Sequence, residues 1–349
     1  MKIAILTRRL YPPGGAERTM TYIAEKLSTD HTVKIFGFSE EKGEIPDNAV
    51  AVPMPKGTSL PVPRLNKTLR HLQRSTKHCK PVQQFDPDLI LAHHRPALMT
   101  PYLKQVCNAS VAVFLHDLSQ IEFPYGSLPG RVYSQLDSFL HRMTYQQADL
   151  VVANSKFTAQ KFKSVYGFYP TVVYPCVDLE SHRTQSTGDH ILFINPIYDK
   201  GVDIALEVSK QIPDKEFLFV GPNPKDETVA DQISSQENID FRGYMDDMSE
   251  IFAETKVVIY PSRCQEAFGR IPIEAGASGI PTIAASRGGL PESVGIDGCI
   301  VQSDSPEEYV NSIRHVLENY VEYANAARLN AWKKSGELQF NKFTSVIGL

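Results

Sequence analysis

Short runs of apolar, largely β-branched residues recur along the chain, separated by longer stretches with a helical repeat of apolar positions. The runs fall at 2–6, 32–36, 88–92, 110–114 and 149–153, and the series restarts after residue 188 with 191–195, 216–220, 256–260 and 281–285. Strands apolar on nearly every residue are buried on both faces, which predicts parallel sheets covered by helices. Their alternation with helical stretches predicts an α/β architecture rather than a sandwich or a bundle.

The segment 181–190 has no hydrophobic period and is expected to be a linker. It divides the chain into an N-terminal domain, 1–180, and a C-terminal domain, 191–335, followed by a segment 336–349. Two doubly wound, Rossmann-like domains of this kind are expected to face a central cleft at the carboxyl ends of their strands, where open α/β sheets bind ligands.

Bulk properties narrow the class. The 349 residues suffice for two cores, and a net charge of −4 gives no sign of nucleic-acid binding. No apolar run approaches the ~18 residues that cross a bilayer. The apolar run at 3–6 is too short for a signal-peptide core and leads into Arg8 and Arg9. Five scattered cysteines (79, 107, 176, 264 and 299) form no CxxC pair, so a reducing, cytoplasmic setting without disulfides or zinc is expected.

Four stretches carry candidate chemistry. In "LYPPGGAER" (10–18), Gly14 and Gly15 precede a helix with Ala16, Met20, Ile23, Ala24 and Leu27 on one face. A ligand can approach this backbone closely, and an anion suits the helix N-terminus; a plain βα turn is the alternative. In "VAVFLHDLSQ" (111–120), His116 and Asp117 end a strand, where a histidine can donate to phosphate or a sugar hydroxyl and Asp117 can hold its tautomer or contact an acceptor. In "FINPIYDKG" (193–201), Lys200 stands just before Gly201 and a helix starting near Val202, a setting for a diphosphate. In "VVIYPSRCQEAFGRIPIEAGASGIP" (257–281), Glu266 lies in a loop and Glu274 in a helix from Ile271 to about Ser278. Carboxylates there accept from vicinal hydroxyls, while the amides of Phe268, Gly269 and Arg270 suit phosphate.

Together these motifs resemble the GT-B retaining glycosyltransferases, in particular glycosyltransferase family 4. The Glu-x7-Glu signature is matched by Glu266, Phe268, Gly269, Glu274 and Ala275. The resemblance extends over nearly the whole chain, through the Gly-Gly loop, "LHD", "VVANSKFTAQKF" (151–162), "YPCVD" (174–178), "KG" and "GGLPE" (288–292).

It implies that Glu274 binds the ribose of a nucleotide sugar and Glu266 the donor sugar. Lys200, Ala267 and the amides of Phe268 to Arg270 hold the diphosphate, His116 lies near the transferred sugar, and Gly14-Gly15 close over phosphates or seat the acceptor. The implied reaction retains configuration by front-face attack, without a protein nucleophile, a cofactor or a metal; the phosphate donors stabilise the leaving group. A UDP-hexose donor and a glycan, lipid-linked or small-molecule acceptor are expected. The last segment, 336–349, is expected to cross back to the first domain, as in relatives.

Two positions depart from the family. Asn195 stands where an arginine usually forms a second diphosphate clamp, with Arg270, Arg8 or Arg9 as possible substitutes. Cys176 replaces an Asn-Gly element. "DPD" (86–88) is read as strand-entry punctuation and "MDDM" (245–248) as a helix start. The stretch 64–80 carries six Lys/Arg, no acid, and a stripe of Leu65, Leu69, Leu72, Thr76 and Cys79, giving either peripheral contact with the inner membrane face or a solvated helix packed on the domain. A silent nucleotide-sugar-binding module and a nucleotide-sugar epimerase are the alternative functions. A pyridoxal phosphorylase or an NAD dehydrogenase fits less well, because the chain is short for the first and has no GxGxxG for the second.

Overall fold

In the computed structural model, residues 1–8, 10, 14–37, 49–51, 79–121, 128–245 and 247–349 are described. The chain forms two compact units, Met1–Tyr174 with Phe343–Leu349, and Pro175–Lys342. The first holds strands β1 (Lys2–Thr7), β2 (Thr32–Gly37), β3 (Ala49–Ala51), β4 (Leu89–His93), β5 (Ser110–Leu115), β6 (Leu150–Ala153) and β7 (Thr171–Val172). The second holds β8 (His190–Ile194), β9 (Phe217–Val220), β10 (Ile239–Phe241), β11 (Thr255–Tyr260), β12 (Thr282–Ala285) and β13 (Ile300–Val301).

Both sheets are parallel, ordered β3-β2-β1-β4-β5-β6-β7 and β10-β9-β8-β11-β12-β13. In each, the first strand lies centrally and the order reverses beside it, between β1 and β4 and between β8 and β11. Loops leaving such a pair diverge to opposite faces and leave room for a ligand at the carboxyl edge.

All nine apolar runs form strands. Four further strands, β3, β7, β10 and β13, are only two or three residues long, too short to show a period of their own. Ile3 to Leu6, Ile90 to Ala92 and Leu192 to Phe193 are fully buried, as strands covered on both faces must be. Helix Gly15–Leu27 buries Met20, Ile23, Ala24 and Leu27, and helix Lys156–Tyr166 starts on Ser155, whose hydroxyl accepts the Thr158 amide at 2.9 Å. Asp88 returns its carboxylate to the Lys2 amide at strand entry (2.8 Å), and Asp247 caps helix Met248–Glu254; Asp246 lies outside the described residues.

The 181–190 segment, expected as a linker, is laid along the second unit. Thr184 N–H donates to Ser278 Oγ (2.9 Å), Thr187 N–H to the Ala253 carbonyl (3.0 Å), and Ser186 Oγ to the Thr255 carbonyl (2.5 Å). Hydrogen bonds through backbone groups and serine hydroxyls, which leave no hydrophobic period, hold it. In the last helix, Gly336–Ile347, the Gly336 amide donates to the Val177 carbonyl (2.8 Å), whereas Phe343 is buried in the first unit with its ring centroid 5.1 Å from that of Phe114. Of the basic stretch 64–80 only Cys79 and Lys80 are described. Cys79 is buried, and no described helix is long and apolar enough to cross a membrane.

The first unit carries an acid-sensitive core. Burial first, then His116 and His94, push His93 well below its ordinary value, and burial, then Arg95, brings His141 down to about 3. Both are neutral in the fold, so their contribution is intact above the unfolded value near 6.5 and declines as pH falls from there. We expect roughly 2–4 kcal/mol to be lost between pH 6.5 and 5, at ~1.4 kcal/mol per pH unit and histidine. Urea midpoints at pH 7, 6 and 5 measure this, and His141→Gln should flatten the slope.

Candidate active site

In the second unit the loops leaving β8 and β11 meet. Gly201, at φ +78°, follows the short turn Tyr198–Lys200 and lies so close to the next strand's exit that a Cβ would overlap the Pro261 carbonyl oxygen. The Arg263 amide and Ser262 Oγ donate to the Asp199 carbonyl at 3.0 and 3.2 Å, locking the two loops together.

This brings Lys200 against Glu266. Lys200 Nζ donates to Glu266 Oε1, which also accepts from Ser262 Oγ (2.9 Å) and Cys264 Sγ (3.5 Å). Lys200 Nζ lies 5.8 Å from the centroid of the Tyr260 ring. Burial, then the hydrogen-bonded Glu266 carboxylate, raises the Tyr260 phenol well above its ordinary value, so it stays protonated. The glutamate loop is braced from behind: a Cβ on Gly288 or Gly289 would overlap the carbonyls of Glu266 or Ala267, and the Gly289 amide donates to the Glu266 carbonyl (2.7 Å). Phe268 is buried, and the Gly269 carbonyl accepts from Ser293 Oγ (2.5 Å).

Glu274 sits in helix Ile271–Ala277 and pairs with Arg270 one turn earlier, Nε to Oε1 at 2.9 Å, with His182 Nε2 at 3.8 Å. Arg270 also donates to the Cys176 carbonyl (3.3 Å), and its side chain is only 14% exposed. Arg270 is thus engaged with Glu274 and the Cys176 carbonyl. The Cys176 thiol is buried, and burial pushes it up to about 12, so the position is structural. Asn195 is left-handed, φ +62°, a conformation that asparagine tolerates better than arginine. Its amide donates to the Val220 carbonyl at 2.7 Å.

In the first unit, Gly14 precedes helix Gly15–Leu27, and its amide donates to the buried Glu17 carboxylate (3.1 Å). The Glu17 carboxylate thus shares the helix N-terminus with the glycine pair; Pro12 and Pro13 lie outside the described residues. His116 stacks on Phe114 (5.8 Å, 7°) and its carbonyl accepts from Asn154 Nδ2 (2.9 Å). Asp117 does not turn to His116. Its Oδ2 accepts from Nδ1 of His94 (3.0 Å), and its Oδ1 accepts from the Ser119 amide (2.9 Å) and hydroxyl (2.5 Å). Burial raises the Asp117 carboxyl, but His94 and Ser119 outweigh it and hold it at about 2.

His94 has φ +54° and ψ −147°, close to a region used almost only by glycine, at a cost of order 1–3 kcal/mol. Sequence reasoning missed His94, Ser262, Cys264 and His182. The doubled histidine after a strand in "LILAHH" was an available signal. Among the described residues no group of three or more His, Cys, Asp or Glu is placed to hold a metal ion. Arg8 is exposed in the first unit, and Arg9 lies outside the described residues.

Two families match the chain: Glycosyltransferase Family 4 over residues 13–181 and Glycosyl transferases group 1 over 188–319. D-inositol 3-phosphate glycosyltransferases of Mycobacterium sp. (strain KMS) and Catenulispora acidiphila are 27% and 28% identical, over 49% and 55% of this chain and 45% and 53% of theirs. The chain thus spans about half the length of these curated relatives. Anabaena HepE, solved with UDP and glucose, superposes with a TM-score of 0.77 at 19% identity over 100% of this chain and 99% of its own. Sucrose-phosphate synthase of Thermosynechococcus elongatus gives 0.81 at 17%, over 99% and 98%.

The Arg270–Glu274 pair is nearly buried, so removing one member strands the other. Arg270→Ala is expected to cost about 2–4 kcal/mol in urea unfolding. Arg270→Ala with Glu274→Ala should cost less than the sum of the single changes.

Proposed function

We propose that this chain, which belongs to the glycosyltransferases of the GT-B fold, transfers a hexose from a UDP-sugar to an acceptor hydroxyl with retention of configuration and without a metal ion. The observation that carries the reading is the meeting of Lys200 and Glu266 at the carboxyl edge of β8 and β11. One strand-end cation and one acid there match the needs of a nucleotide sugar. The ammonium holds the diphosphate, and the carboxylate accepts from sugar hydroxyls. Glu274, held by Arg270, reads the ribose. The amides from Ala267 to Arg270 complete the donor contacts of the second unit. UDP is favoured because HepE binds it, and a polyol-type acceptor because the curated relatives are named for an inositol phosphate.

In the proposed reaction the glycosyl–phosphate bond breaks while the acceptor oxygen attacks from the same face and passes its proton to the departing phosphate oxygen. Charge builds on the departing phosphate, where Lys200 stabilises it. Lys200 is already spent on Glu266, so UDP binding exchanges one anion for another. UDP titrations followed by ³¹P NMR test this exchange. Lys200→Ala should weaken UDP by about 10- to 100-fold, the worth of a charged hydrogen bond. Glu266→Gln should bind UDP at least as tightly as wild type, up to about tenfold tighter, while losing turnover. Weaker UDP binding in Glu266→Gln would sink the exchange. Donor hydrolysis that is unchanged by EDTA and first releases the α-anomer from an α-linked donor supports the metal-free, retaining course.

A further inference from the structure

We propose that Ser262 is a positioning residue for Glu266, keeping the carboxylate in place once Lys200 has turned to the diphosphate, an inference that rests on the transferase reading above and deepens it. In the resting site Glu266 Oε1 accepts from two loops. Lys200 reaches it from the turn after β8, and Ser262 Oγ reaches it at 2.9 Å from the base of the glutamate's own loop after β11. A cation on a second loop can leave with an incoming anion, whereas a hydroxyl on the same loop stays. Ser262 is 0% exposed, so it has no surface to offer a ligand and acts only through Glu266.

The proton count favours this role over a purely structural one. Ser262 Oγ carries one proton, and its two nearest oxygen acceptors are the Glu266 carboxylate and the Asp199 carbonyl, the latter at 3.2 Å. That carbonyl has two lone pairs, and the Arg263 and Cys264 amides already reach it at 3.0 and 3.3 Å. The carboxylate is nearer and charged, so the hydroxyl proton goes to Glu266. Cys264 Sγ lies 3.2 Å from Ser262 Oγ, where its S–H can fill a lone pair of the hydroxyl and leave that proton to the carboxylate.

Two features make this hold independent of the cation. Ser262 directly follows Pro261, whose carbonyl presses on Gly201, so the loop crossing itself fixes the hydroxyl. The buried Tyr260 phenol, at the end of β11, is also hydrogen-bonded to the carboxylate. When the ammonium moves to the diphosphate, two neutral donors from one strand exit therefore remain on Glu266. Without Ser262 the carboxylate can follow the lysine or turn to water, and the sugar hydroxyls lose a fixed acceptor. Diphosphate binding, which belongs to Lys200, is retained.

The test compares UDP with UDP-glucose on the full chain, with binding and donor hydrolysis both followed by ³¹P NMR. Ser262→Ala should bind UDP within about twofold of wild type. It should lose about tenfold in hydrolysis rate and in the affinity for UDP-glucose relative to UDP, the worth of one hydrogen bond to a charged group. In a Glu266→Gln background the same change should leave that affinity ratio unaltered. Equal weakening of UDP and UDP-glucose by Ser262→Ala would overturn the proposal, because it marks a hydroxyl that only locks the loops. So would an unchanged ratio, or a loss that persists beside Glu266→Gln. A wild-type chain that binds neither nucleotide would end the transferase reading and this inference with it, an outcome the first titration tells apart from the others.

Discussion

The contact between Gly201 and the Pro261 carbonyl is the constraint on which the meeting of Lys200 and Glu266 depends. Two parallel strands far apart in sequence, β8 and β11, are neighbours, and their exit loops must cross at van der Waals distance. Only a residue without a Cβ, in a left-handed conformation, permits that crossing. Once it is made, Lys200 on one loop and Glu266 on the other have little choice but to meet. The glycines at 288 and 289 apply the same principle from the other side, letting a third segment press against the glutamate loop so that the carboxylate does not drift.

The resting site is balanced in charge. Glu266 holds Lys200, and Glu274 holds Arg270, so neither acid is left uncompensated in a partly closed setting. The backbone at Asn195 is left-handed, a conformation that asparagine tolerates better than arginine. Arg270 is shared between Glu274 and the Cys176 carbonyl, and Lys200 rests on Glu266. A cation already paired with an acid favours exchange of anions over simple addition, which is the premise of the UDP titration proposed above.

Much of the fold was legible because double burial makes a parallel strand apolar at almost every residue, a signal that survives without partners. Strands such as β7 and β13, two residues each, carry no such signal, and their assignment depends on a neighbour. Glu266 and Glu274 share one strand–loop–helix unit after β11, and Lys200 closes the turn after β8, so each was legible within its own stretch of sequence. Ser262, Cys264 and His182 were not, since their relevance lies in which carboxylate they reach across space. The Gly14-Gly15 loop shows the converse. A glycine pair before a helix reads as an anion site, and its first amide is also within reach of the acid three residues on.

The pairing of Asp117 shows most plainly why adjacency misleads. Successive residues of an extended chain point to opposite sides, and Asp117 is extended, at φ −145° and ψ 169°. An aspartate directly after a strand-end histidine is therefore poorly placed to hold that histidine, and well placed to reach the neighbouring strand. In a parallel sheet that neighbour ends at the same level, so the group it meets is the residue just past the end of β4, His94. His–Asp dipeptides at strand ends of such sheets are better read as two half-sites, each completed from a different strand. The second histidine of "AHH" is then the expected partner, because the first points into the core, where His93 is buried.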